Sequence, residues 1–227
     1  MCGRFAQVIK YSNLRKYLKE LEQVELTIPI NFNVAPTHNV GAIFNWENRT
    51  VCDLLHWQLT PSWSKSLDSK YKIINTRIES IIDKPIWRGL FQHKRCLIPA
   101  NGFYEWDKST KTPNYFYRKD NKLLFFAGIY DVWHSADGSF RISFSILTTD
   151  SNADMVDVHP RMPIIIENNN LSDYLNNKDF KGLINKIRLN EVSIIDKHVV
   201  SKAVNKVSNN YPKLIEPYII EDNLSIF

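Results

Sequence analysis

Six stretches of β-branched and aromatic residues, with turn residues between them, constrain the fold of this chain most strongly. They are VGAIFNW at residues 40–46, TVCDLLHW at 50–57, KRCLIPA at 94–100, GFYEW at 102–106, LLFFAGIYDVW at 123–133 and FRISFSILTT at 140–149. Such residues favour strands because their side chains pack well on a pleated, half-buried surface. These runs predict a protein built mainly of β-structure.

Helical patterns are fewer and do not alternate regularly with these strands. The longest is SNLRKYLKELE at residues 12–22, where Ser12 can cap a helix and leucines recur on one helical face. Shorter helical patterns are RIESII at 77–82, PIWRGLFQ at 85–92 and LSDYL at 171–175. Strands with irregularly interspersed helices predict an α+β fold, built on a curved, mostly antiparallel β-sheet or barrel with short flanking helices.

The chain shows no internal repeat, no low-complexity tract and no linker long enough to separate two domains. Its 227 residues, 44% of them hydrophobic, suffice for one substantial core. We therefore expect residues 1–227 to form a single domain. The sequence has neither an apolar run of about 18 residues nor a secretory signal. We expect a cytoplasmic protein, associated with the nucleoid in a bacterium, without a membrane partner.

The cysteine content and the net charge limit which cofactors, metal sites and partners are expected. Cys2, Cys52 and Cys96 are an odd number without any CxxC pair, which argues against a disulfide framework and against a structural zinc site. We expect reduced thiols, no metal and no cofactor. The 29 Lys and Arg residues exceed the 24 Asp and Glu residues and give a net charge of +5, which is compatible with a polyanionic partner.

Five segments place polar residues in apolar or rigid surroundings: MCGRF, NVAPT, NTRIES, NGFYEW and HPRMP. In NTRIES, Asn75, Arg77 and Glu79 would alternate along one side of an extended segment. A buried Glu105 beside Trp106 would have its charged form disfavoured by desolvation, which is how a glutamate becomes a proton-transfer group near neutral pH. Structural interpretations stay open: Arg77 and Glu79 could form a surface ion pair, and the histidine of HPRMP could be a hydrogen-bonded structural residue.

The opening MCGRF offers a special nucleophile. If Met1 is removed, Cys2 presents a thiol and a free α-amine on adjacent carbons. An amine attacks an aldehyde to give a Schiff base, and the neighbouring thiol can then close a five-membered thiazolidine on the same carbon because that step is intramolecular. A lysine or an interior cysteine cannot do this. The alternative is that Cys2 is an ordinary buried residue.

Eight segments occur in an order found in one protein family: MCGRF, NVAPT, WQLTPSW, NTRIES, RCLIPANGFYEW, FAGIYDVW, HPRMP and VSKAVN. By these segments, from Cys2 to about Pro217, the chain resembles the SOS response-associated peptidase family, also known as abasic-site crosslinkers. The resemblance implies a single domain that binds single-stranded DNA at an abasic site and joins its N-terminal cysteine to the ring-opened sugar, protecting the lesion in the DNA damage response. It also implies autoproteolytic removal of whatever precedes that cysteine, and partners among replication-associated proteins.

The resemblance implies roles for four catalytic residues. Cys2 is the crosslinking residue, and Asn75 would hold its backbone or its amine in position. Glu105 would shuttle protons during imine formation and ring closure. His159 would act on the sugar oxygen, because a histidine can give and take a proton near neutral pH. The same pair could catalyse reversal of the crosslink or β-elimination, so a lyase side activity is expected as well.

The resemblance also implies a DNA surface with phosphate contacts and a groove. The residues expected to contact phosphates are Arg4, Arg77 and Arg161, whose planar guanidinium groups suit phosphate oxygens. The residues expected to line the groove are Asn33, Pro36, Trp63, Trp106 and Thr149. Flat rings stack on unpaired bases at about 1–3 kcal/mol per base without reading the sequence, which suits recognition of damage anywhere.

Three positions depart from the usual pattern of the family. Gln58 and Thr60 in WQLTPSW stand where the family usually shows a glycine and an aliphatic residue, and Pro160 follows His159 where an acidic residue is common. Gln58 and Thr60 bear on the shape of the groove, and Pro160 bears on the proton-transfer properties of His159.

Two other classes of protein stay open at this point. An N-terminal-nucleophile amidohydrolase also exposes a cysteine in an MCG start, with the α-amine as base, and release of ammonia from glutamine would identify it. A non-catalytic single-strand-binding module would account for the basic charge and the aromatic residues, but it leaves Asn75, Glu105 and His159 without a role. Intact-mass analysis after mixing with abasic DNA separates a crosslinker from such a module.

Overall fold

The computed structural model describes residues 2–23, 26–67, 72–188 and 194–218. The strands in these ranges are β1 (Phe5–Gln7), β2 (Asn31–Val34), β3 (Asn39–Trp46), β4 (Arg49–Trp57), β5 (Asn75–Arg77), β6 (Arg95–Ala100), β7 (Gly102–Trp106), β8 (Pro113–Arg118), β9 (Leu124–His134), β10 (Phe140–Asp150), β11 (Arg161–Pro163) and β12 (Ile195–Val199). The α-helices are α1 (Ile78–Asp83), α2 (Pro85–His93), α3 (Leu171–Asn176) and α4 (Phe180–Arg188).

Five of these strands close into a barrel. β3 pairs antiparallel with β4 and β6, β6 pairs antiparallel with β9, and β9 pairs antiparallel with β10. The ring closes where β10 pairs in parallel with β4, through Ser143 opposite His56. This pairing completes a ring of five strands. Beyond the barrel, β10 continues and pairs with β5 on one side and with β11 on the other.

A second, antiparallel sheet has the strand order β12-β8-β7-β1-β2. Within it, β7 and β8 approach closely at Gly102. A Cβ atom there would lie 2.4 Å from the backbone oxygen of Phe116 and equally close to the Tyr115 ring, so only glycine fits. This close approach holds β7 firmly between β1 and β8.

A buried apolar cluster joins the barrel to the second sheet, and Cys2 belongs to it. The Phe5 ring lies 5.0 Å from the Trp57 ring and 5.8 Å from the Phe126 ring, measured between centroids. The Trp57 indole N–H donates to the Ile74 C=O at 2.9 Å. Because cores of this kind are densely packed, the cluster fixes both the start of the chain and the segment that leads into β5.

The fold class expected from the sequence is confirmed: the molecule is α+β, with a curved, closed barrel, a mostly antiparallel arrangement and short helices. The six predicted strands are present as β3, β4, β6, β7, β9 and β10, and the three short helical patterns are present as α1, α2 and α3. In NTRIES, the extended segment ends at Arg77 and α1 begins at Ile78. Asn75 and Arg77 therefore alternate on a strand, whereas Glu79 lies on a helix.

The prediction of a helix over residues 12–22 is wrong. A 3-10 turn covers Tyr11–Asn13, and further turns follow it. Leu14, Leu18 and Leu21 are buried, as their spacing predicts. However, Leu21 forms a parallel bridge with Thr50 of β4. Attachment to the barrel therefore determines the backbone here, since tertiary contacts override a weak local helix propensity.

Six elements lay outside the sequence predictions: β1, β2, β8, β11, β12 and α4. The five strands among them have only three to six residues. An alternating pattern of hydrophobicity is hard to detect over so few residues. These short strands form most of the second sheet and the frame of the site described next.

Candidate functional site

The residues before β1 run beside β7, the strand that carries Glu105. The Tyr104 N–H donates to the Arg4 C=O at 2.9 Å, which continues the pairing of β1 with β7 toward the start of the chain. From the other side, Asn75 Nδ2 donates to the Cys2 C=O at 2.9 Å. Cys2 is thus held at the junction between the second sheet and the β5 extension of the barrel.

Cys2 is completely buried, and its thiol is a poor acid in this position. Burial raises the pKa of the thiol, and the negative charge of Glu105 raises it further. A thiol of this kind needs a nearby proton acceptor when it reacts. Burial also raises the pKa of Cys52, to about 12, so burial alone does not distinguish Cys2. Cys2 is distinguished by its contact with Asn75 and by its proximity to Glu105.

Glu105 is 5% exposed, so the expected burial of this carboxyl group is confirmed. Burial raises its pKa, while the charge of His159 acts in the opposite direction. The two side chains are therefore within electrostatic reach of each other. A carboxyl group with a raised pKa and a histidine nearby can pass protons at neutral pH.

His159 is half-buried in the turn before β11. The Arg161 N–H lies 3.0 Å from His159 Nδ1, and the Arg161 C=O lies 2.9 Å from the same nitrogen. In the tautomer with the proton on Nε2, Nδ1 accepts from the Arg161 N–H. In the other tautomer, Nδ1–H donates to the Arg161 C=O. Ser151 Oγ–H braces the turn by donating to the His159 C=O at 2.6 Å.

Asn75 reaches the site because β5 pairs with β10, where Asn75 lies opposite Ile146. Its Nδ2 donates to the Cys2 C=O, and its expected role in the reaction stays a prediction. Its Oδ1 is buried and has no hydrogen-bond partner among the described residues. A buried acceptor without a partner is costly, and this one is available to an amine or hydroxyl group that enters the site.

The half-buried Arg4 and the buried Asn33 contact each other beside the site. Arg4 Nη1 donates to Asn33 Oδ1 at 2.7 Å and to the Val204 C=O at 2.8 Å. Asn33 is completely buried, and its Nδ2 also donates to the backbone at Lys206 and Asn209. Asn33 therefore positions Arg4 and the chain after residue 203 and does not face a groove directly.

Trp106 is held in place by residues from a distant part of the sequence. Its Nε1–H donates to Asn205 Oδ1 at 2.8 Å, and the Arg4 guanidinium lies 5.9 Å from its ring centroid. Sequence reasoning did not assign Asn205 to the site. The VSKAVN segment that contains it was the available signal, because it belongs to the shared pattern.

Arg161 forms a network of ion pairs and is 13% exposed in its side chain. Its guanidinium contacts both carboxylate oxygens of Glu79 at 3.0 Å, Asp150 at 2.7 Å and the Thr148 C=O at 2.8 Å. The possible ion pair between Arg77 and Glu79 is not formed, because Glu79 pairs with Arg161. A phosphate at Arg161 would compete with two carboxylates, and the phosphate contact stays a prediction.

The other residues expected at the DNA surface lie at varied depths. Arg77 is exposed at the end of β5, and Thr149 is half-buried opposite Met162 where β10 pairs with β11. Pro36 is half-buried in the loop between β2 and β3, and Trp63 is 59% exposed in the loop after β4. Their DNA contacts stay predictions.

The structure places the three departures from the family pattern as follows. Gln58 has φ +152°, a backbone conformation that favours glycine, the residue usual in the family. Thr60 is buried, and its N–H donates to Ser143 Oγ at 2.8 Å. Pro160 is exposed, and its C=O accepts from the Ser151 N–H at 3.0 Å. The contacts of Thr60 and Pro160 are made by backbone atoms, so they do not depend on the side chain at either position.

Two negative observations concern the described ranges. They contain no group of three or more His, Cys, Asp or Glu side chains arranged to hold a metal ion. They also contain no helix whose length and apolar character would allow it to span a membrane.

Comparison with known proteins agrees with this architecture. Abasic site processing protein YoqW of Bacillus subtilis (strain 168) is 35% identical over 229 residues, which cover 96% of this chain and 100% of the relative. Abasic site processing protein YoaM of the same organism is 33% identical over 227 residues, which cover 95% of this chain and 98% of the relative. A crystal structure of a protein from Bacteroides thetaiotaomicron matches with a TM-score of 0.83 at 24% identity, covering 96% of this chain and 100% of that one.

The structural match concerns the fold, whereas the sequence match identifies the family. Residues 1–207 match the SOS response associated peptidase (SRAP) family. This range contains Cys2, Asn75, Glu105 and His159, as well as the segment with Asn205 that supports Trp106. The chain therefore belongs to the SOS response associated peptidase family.

Proposed function

We propose that this protein binds single-stranded DNA at an abasic site and crosslinks itself to the ring-opened sugar through Cys2. The observation that carries the proposal is the hydrogen bond of 2.9 Å from Asn75 to the Cys2 C=O, which holds Cys2 beside the buried Glu105. An amine and a thiol react efficiently where both are held next to a proton donor and acceptor. The relatives named abasic site processing proteins support the substrate class.

The proposed reaction forms two bonds to one carbon. The Cys2 α-amine, freed by removal of Met1, adds to the C1′ aldehyde, and the adduct loses water to give an imine. The thiol then adds to the imine carbon while its proton moves to the nitrogen, which closes a thiazolidine. One water leaves overall, and the reaction needs no oxidant or reductant.

Glu105 is suited to both proton transfers. Because burial raises its pKa, a larger fraction of the carboxyl group stays protonated near neutral pH and can donate to the departing hydroxyl. The resulting carboxylate can then accept the thiol proton. Such an acceptor is needed because burial also raises the pKa of the Cys2 thiol.

His159 would protonate the sugar ring oxygen and so favour the open aldehyde. In the tautomer in which Nδ1 accepts from the Arg161 N–H, the proton that it would donate is on Nε2. The same groups can remove a proton next to the imine, which would give β-elimination. A DNA lyase side activity is therefore part of the proposal.

Exposure of the α-amine is a separate step. While a residue precedes Cys2, its nitrogen is an amide whose lone pair is delocalised, and it cannot form an imine. The Cys2 thiol can attack the carbonyl of that residue, and the C–N bond then breaks as Glu105 or His159 supplies a proton to the nitrogen. Water hydrolyses the resulting thioester, which releases the preceding residue and leaves Cys2 with a free amine and a free thiol. The proposal thus includes a thiol autopeptidase, a hydrolase that acts on its own N-terminus.

The DNA would contact Arg4, Arg77, Trp106 and Trp63. Arg77 is exposed and suits a phosphate directly. The two indole rings would stack on unpaired bases. Crosslinking would protect the lesion, and replication-associated proteins are the proposed partners because single-stranded lesions occur during replication.

The first test is intact-mass analysis of protein mixed with single-stranded DNA that contains one abasic site. We expect a denaturation-resistant adduct whose mass is that of protein without Met1 plus DNA, less one water. Undamaged DNA of the same sequence lacks an aldehyde and should give no adduct. An adduct on the undamaged strand, or efficient thiazolidine formation by protein that keeps Met1, would contradict the mechanism.

Cys2→Ala separates the amine from the thiol. After removal of Met1 this variant keeps an α-amine, so borohydride should trap it on abasic DNA as a reduced imine. Without borohydride its adduct should fall away on heating, because no ring can close. A heat-stable adduct of the variant without reductant would show that another residue is the attachment point.

A further inference from the structure

The loop after β4 carries an exposed tryptophan at the centre of a turn. The Ser64 N–H donates to the Pro61 C=O at 2.9 Å, which closes a turn around Ser62 and Trp63. Trp63 is 59% exposed. Hydrophobic burial contributes little to the position of so exposed a ring. The backbone contacts of the turn position the residue that carries the ring.

Two side chains of β9 hold this backbone on either side of Trp63. Asp131 Oδ2 accepts from the Ser62 N–H at 2.7 Å. Trp133 Nε1–H donates to the Ser64 C=O at 2.7 Å. Residues 131 and 133 lie on the same face of the strand, since side chains alternate along it. The turn is thus attached to the barrel at both of its ends.

Asp131 is a charged residue in a buried strand. It is 2% exposed within the apolar run FAGIYDVW. Its Oδ1 accepts from Lys94 Nζ at 2.6 Å and from the Val132 N–H at 2.9 Å. A buried carboxylate is costly unless it is paired and hydrogen-bonded. Lys94 offsets the charge, and the second oxygen is left to hold the Ser62 N–H.

We propose that Asp131 is a positioning residue for DNA binding, which holds the turn so that Trp63 is a preorganised stacking platform for an unpaired base. The inference rests on the proposed function, because single-stranded DNA supplies the unpaired base. Binding to a turn that is already ordered loses less conformational entropy. Stacking on a fixed indole ring also tolerates any base. The partner of this surface is therefore single-stranded DNA of any sequence.

The test is a double-mutant cycle on the dissociation constant for undamaged single-stranded DNA. Trp63→Ala should weaken binding roughly 5- to 150-fold, the range for loss of one stacked base. Asp131→Asn should weaken it roughly 5- to 30-fold, the range for ordering one residue on binding. In the Trp63→Ala background, Asp131→Asn should change binding by less than about twofold, because the ring that it positions is gone.

Trp133→Phe tests the hydrogen bond between Trp133 and Ser64 with a substitution that leaves the net charge unchanged. It removes the indole N–H that holds Ser64 and keeps an aromatic ring in the core. We expect it to weaken binding when Trp63 is present and to have no effect in the Trp63→Ala background. If Asp131→Asn does not fold, this cycle still tests whether attachment of the turn to β9 positions Trp63 for binding.

Asp173→Asn is the matched control. It breaks the ion pair of 2.8 Å between Asp173 and Lys186, which joins α3 to α4, and it raises the net charge by one, as Asp131→Asn does. DNA binding by this variant should not weaken. Equal losses in Asp173→Asn and Asp131→Asn would overturn the inference, as would equal losses from Asp131→Asn with and without Trp63, or no loss at all.

The cycle uses undamaged DNA so that it does not depend on the crosslinking chemistry. If the native protein forms no adduct with abasic DNA but the cycle shows coupling, the proposed crosslinking fails and the positioning role of Asp131 holds. If the adduct forms and the cycle shows independent effects, only the positioning role fails.

Discussion

At the scale of single residues, Glu105 has opposite effects on stability and on chemistry. Burial raises its pKa in the folded protein above the value in the unfolded chain. The folded state therefore binds the proton more tightly, and this contribution to stability is full below the unfolded pKa and is lost as the pH rises through the folded pKa. At pH values above the unfolded pKa, the burial of Glu105 therefore lowers the free energy of unfolding.

Glu105→Gln should therefore stabilise the protein at pH 7 while it impairs crosslinking. The gain in melting temperature over the native protein should shrink as the pH falls toward about 4.3, the usual pKa of an unfolded glutamate, because both side chains are then neutral. The rate of crosslinking should fall about 10²- to 10⁴-fold, as for loss of a general acid. Thermal unfolding at several pH values and single-turnover adduct formation measure the two effects. A variant that is less stable than the native protein at pH 7 and equally fast would exclude a catalytic Glu105.

At the scale of structural elements, the end of β4 stores backbone strain. Gln58 follows Trp57 directly and has φ +152°, where residues with a Cβ atom are disfavoured at a cost of about 1–3 kcal/mol. The neighbouring contacts, including the Gln58 N–H to Phe144 C=O hydrogen bond at 3.3 Å, hold it there. The barrel closes at this point, so the geometry is imposed by the pairing of β4 with β10.

Gln58→Gly should raise the free energy of unfolding by about 1 kcal/mol, because relief of strain exceeds the entropy that glycine adds to the unfolded chain. The melting temperature should rise by about 2–4 °C, as expected for a domain of this size. Asn48→Gly is the matched control, since Asn48 has φ +62° in the β3–β4 turn and asparagine tolerates that conformation at little cost. We expect almost no change there. A loss of stability in Gln58→Gly would show that its side chain contributes more than the strain costs.

At the scale of the whole molecule, the charge distribution predicts how DNA binding depends on salt. The net charge is +5, but Arg161 is paired with Glu79 and Asp150, and Arg4 is engaged with Asn33. Arg77 is the exposed arginine among the three predicted phosphate contacts. A phosphate contact at Arg77 should therefore release counterions, and this release makes single-strand binding sensitive to salt.

The dissociation constant of Arg77→Gln for undamaged single-stranded DNA should depend less on salt than that of the native protein. The slope of log K against log salt should be smaller by about 0.7, the value for one phosphate contact on a single strand. Lys181→Gln, an exposed cation on α4, should leave the slope unchanged. At saturating DNA the rate of adduct formation should be the same for all three proteins. An unchanged slope in Arg77→Gln would remove this residue from the DNA surface.

Features that depend on local pattern could be predicted from the amino-acid sequence. Strands such as β9 and β10 are long enough for their β-branched and aromatic residues to predict them, and α2 is predicted by its apolar spacing with Pro85 at its start. The chemistry of an amine and a thiol at Cys2 also needs no tertiary information. Glu105 was found because a carboxylate beside aromatic residues predicts its own desolvation.

Only the tertiary structure decided which residues meet. Asn75 reaches Cys2 across 73 positions of sequence, and Arg161 pairs with Glu79 across 82. Such contacts depend on strand pairing and barrel closure, which a local pattern does not encode. The same reason explains the failure at residues 12–22, where attachment to β4 outweighed a helical spacing, and the unforeseen support of Trp106 by Asn205. Local propensities amount to fractions of a kcal/mol per residue, and the packing of distant segments decides between the folds that those propensities allow.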